Sequence, residues 1–166
     1  MFFTGASREG EVVKKGRVYW ITGLPGSGKT TVGTALYYRL REENDNIIIL
    51  DGDILKQFVG DSVGYTREDR LIRARKYSNI CKILSDQGMW VIICTVALFD
   101  SIREWNRQNI DGYIEVFIDT PYEILRQRNK KGLYEDKKNH AELFENIEFP
   151  QNPDVVIGKN DECVSD

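Results

Sequence analysis

Eight consecutive residues, Gly23, Leu24, Pro25, Gly26, Ser27, Gly28, Lys29 and Thr30, have the types and spacing of a phosphate cradle, G-x-x-x-x-G-K-[ST]. Gly23, Gly26 and Gly28 permit turns that a Cβ would block, so successive backbone N–H groups can converge on one anion. The residues that follow begin a helix, whose free N–H groups and positive dipole end add to the attraction. Lys29 is the residue type that reaches β- and γ-phosphates, and the Thr30 hydroxyl is the type that ligates Mg²⁺. Thr31 belongs to the same helical turn. The bland alternative is a glycine turn that merely lets a strand meet a helix. The run Val18–Ile21 before it and the helical pattern after it favour phosphate.

Asp51 and Asp53 form the second candidate constellation, in Leu50-Asp51-Gly52-Asp53. Two carboxylates two residues apart beside a triphosphate can divide the labour. One orders Mg²⁺ through water, and the other accepts a proton from an attacking hydroxyl. The alternative is a solvated Asp-Gly-Asp turn.

The bulk properties narrow the field. A chain of 166 residues is one domain's worth, long enough for a core without metal or disulfide staples. A formal net charge of −3 argues against nucleic acid or a membrane surface as a general partner. The three cysteines, Cys81, Cys94 and Cys163, are odd in number and widely spaced, so neither a disulfide framework nor a C-x-x-C site is expected. His140 is the only histidine, a poor basis for a histidine metal site or a serine–histidine triad. Residues 1–16 read as a loose leader without the apolar core of a signal peptide. No apolar run approaches the ~20 residues needed to span a bilayer. The expectation is a soluble, cytoplasmic protein.

The elements that must position these groups follow from pattern. Arg17–Thr22 reads as a strand. Lys29 to about Glu43 reads as a helix with Val32, Ala35, Leu36 and Leu40 on one stripe. Ile47–Leu50 is an apolar run, the mark of a strand covered on both faces. A long helix follows, with Thr66 as N-cap, Glu68 and Asp69 in its first turn and Gly88 as its stop. Met89–Val96 reads as a strand, Ser101–Gln108 as a short helix, and Tyr113–Asp119 as a strand. Thr120, Pro121 and Glu123 predict a capped helix over 121–129. Asp154–Gly158 reads as a fifth strand. This alternation predicts a parallel sheet with helices on both faces. Residues 130–152 are charged, long and poorly periodic, the mark of a functional lid or of disorder.

The order of "TGLPGSGKTT", "LDGD", "GYTREDR", "IEVFIDTP" and "KGLY" over Arg17–Tyr134 resembles the adenylylsulfate kinase family. The resemblance implies a three-layer P-loop NTPase fold with a five-stranded parallel sheet in strand order 2-3-1-4-5, plus a lid. It implies ATP and Mg²⁺ as cofactors and transfer of the γ-phosphoryl group to a ribose 3′-hydroxyl of a nucleotide acceptor. Asp53 would be the general base, with Asp51 and Thr30 at the metal. Arg128 and Lys131 would close over the phosphates, with Gly132, Leu133 and Tyr134 in the same lid segment. Tyr65 would stand where the family places a phenylalanine against the acceptor base, and Arg70 would hold the acceptor's anionic part. Lys56, Arg73, Val96, Ala97, Lys131, Gly132 and Leu133 complete the candidate acceptor set. Residues 158–161 would supply the loop that holds the donor adenine. Assembly is left open, with a homodimer among the possibilities.

The departures fall on the acceptor side. Lys56 replaces a family arginine, and Arg73 replaces an asparagine. Ala97, Leu98, Phe99 and Asp100 replace Ser-Pro-Tyr-Arg, with Arg103 retained. An acceptor other than adenylylsulfate is therefore open, including a cytidine-linked phosphoramidate, a small polyol or a sugar acid. A nucleotide-binding regulator with a decayed acceptor site is the non-enzymatic alternative. Arg67, Arg70 and Arg73 share a helix face, which for Arg67 and Arg73 can equally be a solvated basic stripe. Trp105 is read as core before base stacking, and Trp90 and Cys94 as core. Phe144 and Phe149 either cover an acceptor base or anchor the lid.

Overall fold

The computed structural model describes residues 14–59, 66–128, 134 and 147–158. Five strands and five helices run through them, alternating except where α2 and α3 follow one another. They are β1 (Val18–Gly23), α1 (Lys29–Arg41), β2 (Ile47–Asp51), α2 (Gly52–Val59) and α3 (Arg67–Asp86). After these come β3 (Trp90–Thr95), α4 (Asp100–Asn109), β4 (Tyr113–Asp119), α5 (Tyr122–Arg128) and β5 (Val155–Gly158).

The strands lie in the order β2-β3-β1-β4-β5, with every neighbouring pair parallel. Each crossover therefore returns the chain to the same end of the sheet. Thr22 pairs with Thr95, Gly23 with Ile118, and Asp51 with Cys94, so the phosphate loop, the first aspartate and the end of β3 share one edge.

Side-chain alternation along β1 builds two cores. Val18 and Trp20 pack with Val91 and Ile93 against Ala74, Tyr77 and Cys81 of α3 and Ile102 of α4. Tyr19 and Ile21 pack with Ile92, Cys94, Val116 and Ile118 on the opposite face, where Val32, Leu36 and Leu40 of α1 cover them. The result is helix, sheet, helix. A third cluster of Leu24, Leu98, Leu125 and Tyr134 ties α5 and the phosphate loop to the chain beyond β3.

Several sequence expectations need correction. Ala35 is exposed, and Gly33 takes the central contact of α1. A Cβ on Gly33 would lie 2.4 Å from Cys94 Sγ, so its absence lets α1 approach β3. The Asp-Gly-Asp segment is not a solvated turn, because Gly52 and Asp53 open α2. Thr120 does not cap α5. The Pro121 carbonyl accepts the first helical bonds, from Ile124 and Leu125, and the Thr120 hydroxyl donates to the Ser27 carbonyl at 2.9 Å. Thr66 does cap α3, through a reciprocal box with Asp69.

Candidate active site

The loop between β1 and α1 is braced from outside. The Tyr134 hydroxyl donates to the Pro25 carbonyl at 2.5 Å, Arg128 Nη1 to Gly26 at 2.9 Å, and Thr120 to Ser27. Lys29 Nζ donates to the carbonyls of Gly23 and Leu24 at 3.0 and 2.7 Å. Five successive carbonyls are held this way, which fixes the course of the loop, and the Ser27 N–H is itself bonded to the Leu24 carbonyl at 3.1 Å. Gly26 and Gly28 have φ of 78° and 101°, the left-handed region that L side chains rarely adopt. Gly28 is also the N-cap of α1.

The residues fit a bound triphosphate. Ser27 is buried, and its Oγ has no hydrogen-bond partner among the described residues, an orphan that a phosphate oxygen satisfies. Beside it, the Thr30 hydroxyl donates to Asp51 Oδ2 at 3.0 Å. The other Asp51 oxygen accepts the Asp53 N–H at 2.8 Å. A hydroxyl and a carboxylate in contact are hard oxygen donors of the kind Mg²⁺ takes, with water and phosphate supplying the rest. Among the described residues no group of three or more acidic, histidine or cysteine side chains could enclose a metal alone.

These groups line a cavity of about 700 Å³. The loop residues Pro25 to Thr31 form one wall, and Asp51, Gly52, Asp53 and Lys56 form the second. Arg70, Arg73, Ala74 and Tyr77 of α3 form the third, closed by Cys94 to Ala97 and Phe99. Arg128 reaches in from α5. Five cations, Lys29, Lys56, Arg70, Arg73 and Arg128, face two carboxylates in a chain whose formal net charge is −3. The concave charge suits a polyanion.

Most candidates named from sequence converge here: the loop from Pro25, both aspartates, Lys56, Arg70, Arg73, Val96, Ala97 and Arg128. Gly23 and Leu24 lie behind the cavity wall, as the carbonyls that hold Lys29. Tyr65, Lys131, Gly132, Leu133, Phe144, residues 1–13 of the leader and residues 159–161 lie outside the described residues. Arg73 faces the cavity and is no mere surface stripe, whereas Arg67 pairs with Glu148 at 2.6 Å. Asp100 turns away from the cavity to Arg103, which also lies 3.3 Å from Glu115. Trp105 packs on the α3–α4 core under Arg75, and Trp90 packs on the α1 face. Phe149 packs edge-on against Phe117 and does not line the cavity.

Tyr77 was not anticipated, and Phe99 reads from sequence only as an acceptor-side departure and not as a residue of the site. Tyr77 follows Arg70 and Arg73 at helical spacing, a signal that their shared face would have supplied. Its hydroxyl donates to the Gly52 carbonyl at 2.9 Å, tying α3 to the start of α2. Burial pushes its pKa up to about 12, with Arg73 opposing and the two aspartates adding. The Cys94 thiol is likewise raised to about 12, by burial first and then Asp51, so it stays a neutral core group.

A glycine-rich loop at the sheet edge, a threonine–aspartate contact beside it and a cationic cleft define a P-loop kinase, an ATP-dependent phosphotransferase. The sequence matches the family model for adenylylsulphate kinase over residues 15–158, and the chain belongs to that family. It is 39% identical over 149 residues to a cytidine diphosphoramidate kinase from Campylobacter jejuni, covering 88% of this chain and 86% of that protein. It is 33% identical over 147 residues to an adenylyl-sulfate kinase from Gloeothece citriformis, covering 86% and 84%. The structure of the Mycobacterium tuberculosis APS kinase CysC in complex with AMPPNP and APS superposes with a TM-score of 0.78 at 28% identity, covering 88% and 90%.

Among the described residues no helix is long and apolar enough to cross a membrane.

Proposed function

We propose that this chain transfers the γ-phosphoryl group of Mg-ATP to the ribose 3′-hydroxyl of an activated nucleotide. The observation that carries the reading is the shared cavity of Lys29, Thr30, Asp51 and Asp53, which sets donor grip and acceptor base on adjoining walls. The loop amides and Lys29 hold the β- and γ-phosphates, with Arg128 and Lys131 closing over them. Thr30 and Asp51 would hold the metal, which when bound would neutralise charge developing on the phosphates. Asp53 takes the proton of the 3′-hydroxyl. As the new oxygen–phosphorus bond forms, the bond from the γ-phosphorus to the bridging oxygen breaks, and its electron pair leaves with ADP. Residues 130–152 act as the lid.

A cytidine-linked acceptor, cytidine diphosphoramidate, is the second reading. Arg73 facing the cavity favours it, because it stands where the family resemblance implies an asparagine. The relative from C. jejuni supports the same reading. Both acceptors are activated nucleotides with a charged group for Arg70 and Arg73 to meet.

The test is a panel of adenylylsulfate, cytidine diphosphoramidate and simple polyols with Mg-ATP, read by ADP release and product mass. One nucleotide gaining a single phosphoryl group is the expected result. Phosphorylation of a polyol alone, or ATP binding without turnover of any acceptor, defeats the proposal.

A further inference from the structure

Glu148 stands outside the cavity yet grips two of its walls. Its backbone N–H donates to the Leu98 carbonyl at 3.1 Å. One carboxylate oxygen accepts from Arg67 Nη2, and the other accepts the backbone N–H of Asp100, both at 2.6 Å. Arg67 begins α3, the helix that carries Arg70 and Arg73, and Asp100 begins α4 directly after Phe99. One side chain thus bridges the starts of the two helices that flank the acceptor side.

The ring between them is Phe99, which is buried and lines the cavity. The Arg67 guanidinium lies 5.6 Å from its centroid and that of Arg70 lies 5.9 Å away. Two cations share one aromatic ring, and their mutual repulsion must be offset for both to stay. The Glu148 carboxylate supplies that offset on the Arg67 side. An isolated exposed ion pair contributes little. Here the carboxylate is fixed by its own backbone bond and by a charge-assisted bond from a helix N-terminus, so its position is determined before Arg67 meets it.

We propose that Glu148 is a positioning residue for the acceptor. It holds Arg67 on the Phe99 ring, and this sets where the ring and Arg70 stand in the cavity. The inference rests on the acceptor reading given above.

The test compares Glu148→Ala, Glu148→Gln, Arg67→Met and the Glu148→Ala/Arg67→Met pair in steady-state kinetics, with whichever nucleotide the wild-type chain phosphorylates. In Glu148→Ala and Arg67→Met the KM for the acceptor rises about tenfold, while kcat and the KM for ATP stay within about twofold. Glu148→Gln, which keeps the acceptor oxygen and loses the charge, falls between. The pair is no worse than either single variant. Unchanged acceptor KM, or a parallel rise of both KM values, marks a brace of the fold only and overturns the proposal. If the wild-type chain phosphorylates no nucleotide, the acceptor reading fails by itself. Glu148 is then judged by the side-chain Nε–H NMR signals of Arg67 and Arg70 in Glu148→Ala. Displacement of both signals sustains the positioning role, and displacement of Arg67 alone ends it.

Discussion

Asp51 binds Thr30 with one carboxylate oxygen, at 3.0 Å, and turns the other to the first turn of α2, where it accepts the Asp53 N–H at 2.8 Å. The two aspartates are therefore not equivalent. Asp51 is committed to the phosphate loop and to the backbone. Asp53 stands two residues beyond it, in the first turn of a helix that begins at Gly52 over the sheet edge. On the proposed reading, Asp51 takes the metal side and Asp53 the base role. We predict that Asp53→Asn lowers turnover by about two to four decades while ATP affinity changes little. Single-turnover rates and calorimetric ATP titration check this. Near-normal turnover in the variant removes Asp53 from the chemistry.

Gly33→Ala should damage the fold at one identifiable contact. The new methyl would lie 2.4 Å from Cys94 Sγ, which itself donates to the Lys29 carbonyl at 3.3 Å. Helix α1 must then move off β3, or the thiol must rotate. The expected loss is about 1–3 kcal/mol in urea unfolding. Adding Cys94→Ala opens the space and should recover most of it. Failure of that rescue would mean that the clash lies elsewhere, with Ile49 and Ile21 next in line.

Tyr77 makes stability depend on alkaline pH. Its folded pKa of about 12 exceeds the ordinary value of 10.0. In the window between these values the unfolded phenol ionises first, so the folded state holds more protons and stability falls as pH rises. Tyr77→Phe loses the bond to Gly52 and should be less stable by about 1 kcal/mol at pH 9. The variant lacks the alkaline loss, so its deficit should shrink between pH 9 and pH 11. Urea midpoints at the two pH values decide it, and a constant deficit contradicts the assignment. Tyr134, also raised to about 12, leaves a residual slope in both proteins.

Glycine spacing, apolar runs and helix signals made the strands, the phosphate loop, α1 and α3 readable from sequence. Helix α2 was not readable. Its eight residues follow β2 with no linker, and an Asp-Gly-Asp segment has turn character of its own. Thr120 and Glu123 satisfy a capping pattern, yet the Thr120 hydroxyl finds a better use on the Ser27 carbonyl, 93 residues away. No local rule anticipates such a partner. Glu148 and Arg67 are 81 residues apart for the same reason. From sequence, Asp100 reads only as an acceptor-side departure, although a carboxylate and a guanidinium at i, i+3 on a helix meet without tertiary help, as Asp100 and Arg103 do.

Glu115 should be the costliest single carboxylate to remove. It is 2% exposed, with Arg107 Nη2 at 2.8 Å and Arg103 Nε at 3.3 Å. Burial raises its pKa despite both arginines. Glu115→Ala leaves the 5%-exposed Arg103 poorly compensated, and the expected loss is about 3–5 kcal/mol. Replacing both partners, Glu115→Met with Arg103→Met, should restore most of the loss, because no buried charge is stranded and Arg107 keeps Asp154 at 3.1 Å. Urea unfolding of the single and double variants checks both. A double variant no better than the single one would show that packing, not charge, sets the cost.

Arg73 is the place where acceptor choice is most open to change. It lies on the α3 face that also carries Arg70 and Tyr77, and all three line the cavity. Its charge is felt at the Tyr77 hydroxyl, where it opposes the upward shift. An asparagine there keeps hydrogen-bonding capacity and removes a positive charge, so it should act on acceptors according to how much negative charge they bring to α3. Arg73→Asn is predicted to raise the KM for cytidine diphosphoramidate about tenfold, with the KM for ATP unchanged, since the loop proposed to hold the donor is a separate part of the lining from α3. The ratio of kcat/KM for adenylylsulfate over the cytidine acceptor should rise by a similar factor. Added salt should narrow the difference between wild type and variant, because a screened charge discriminates less. Equal losses for both acceptors would make Arg73 a general phosphate contact and would move the source of selectivity to the base-binding end of the cavity.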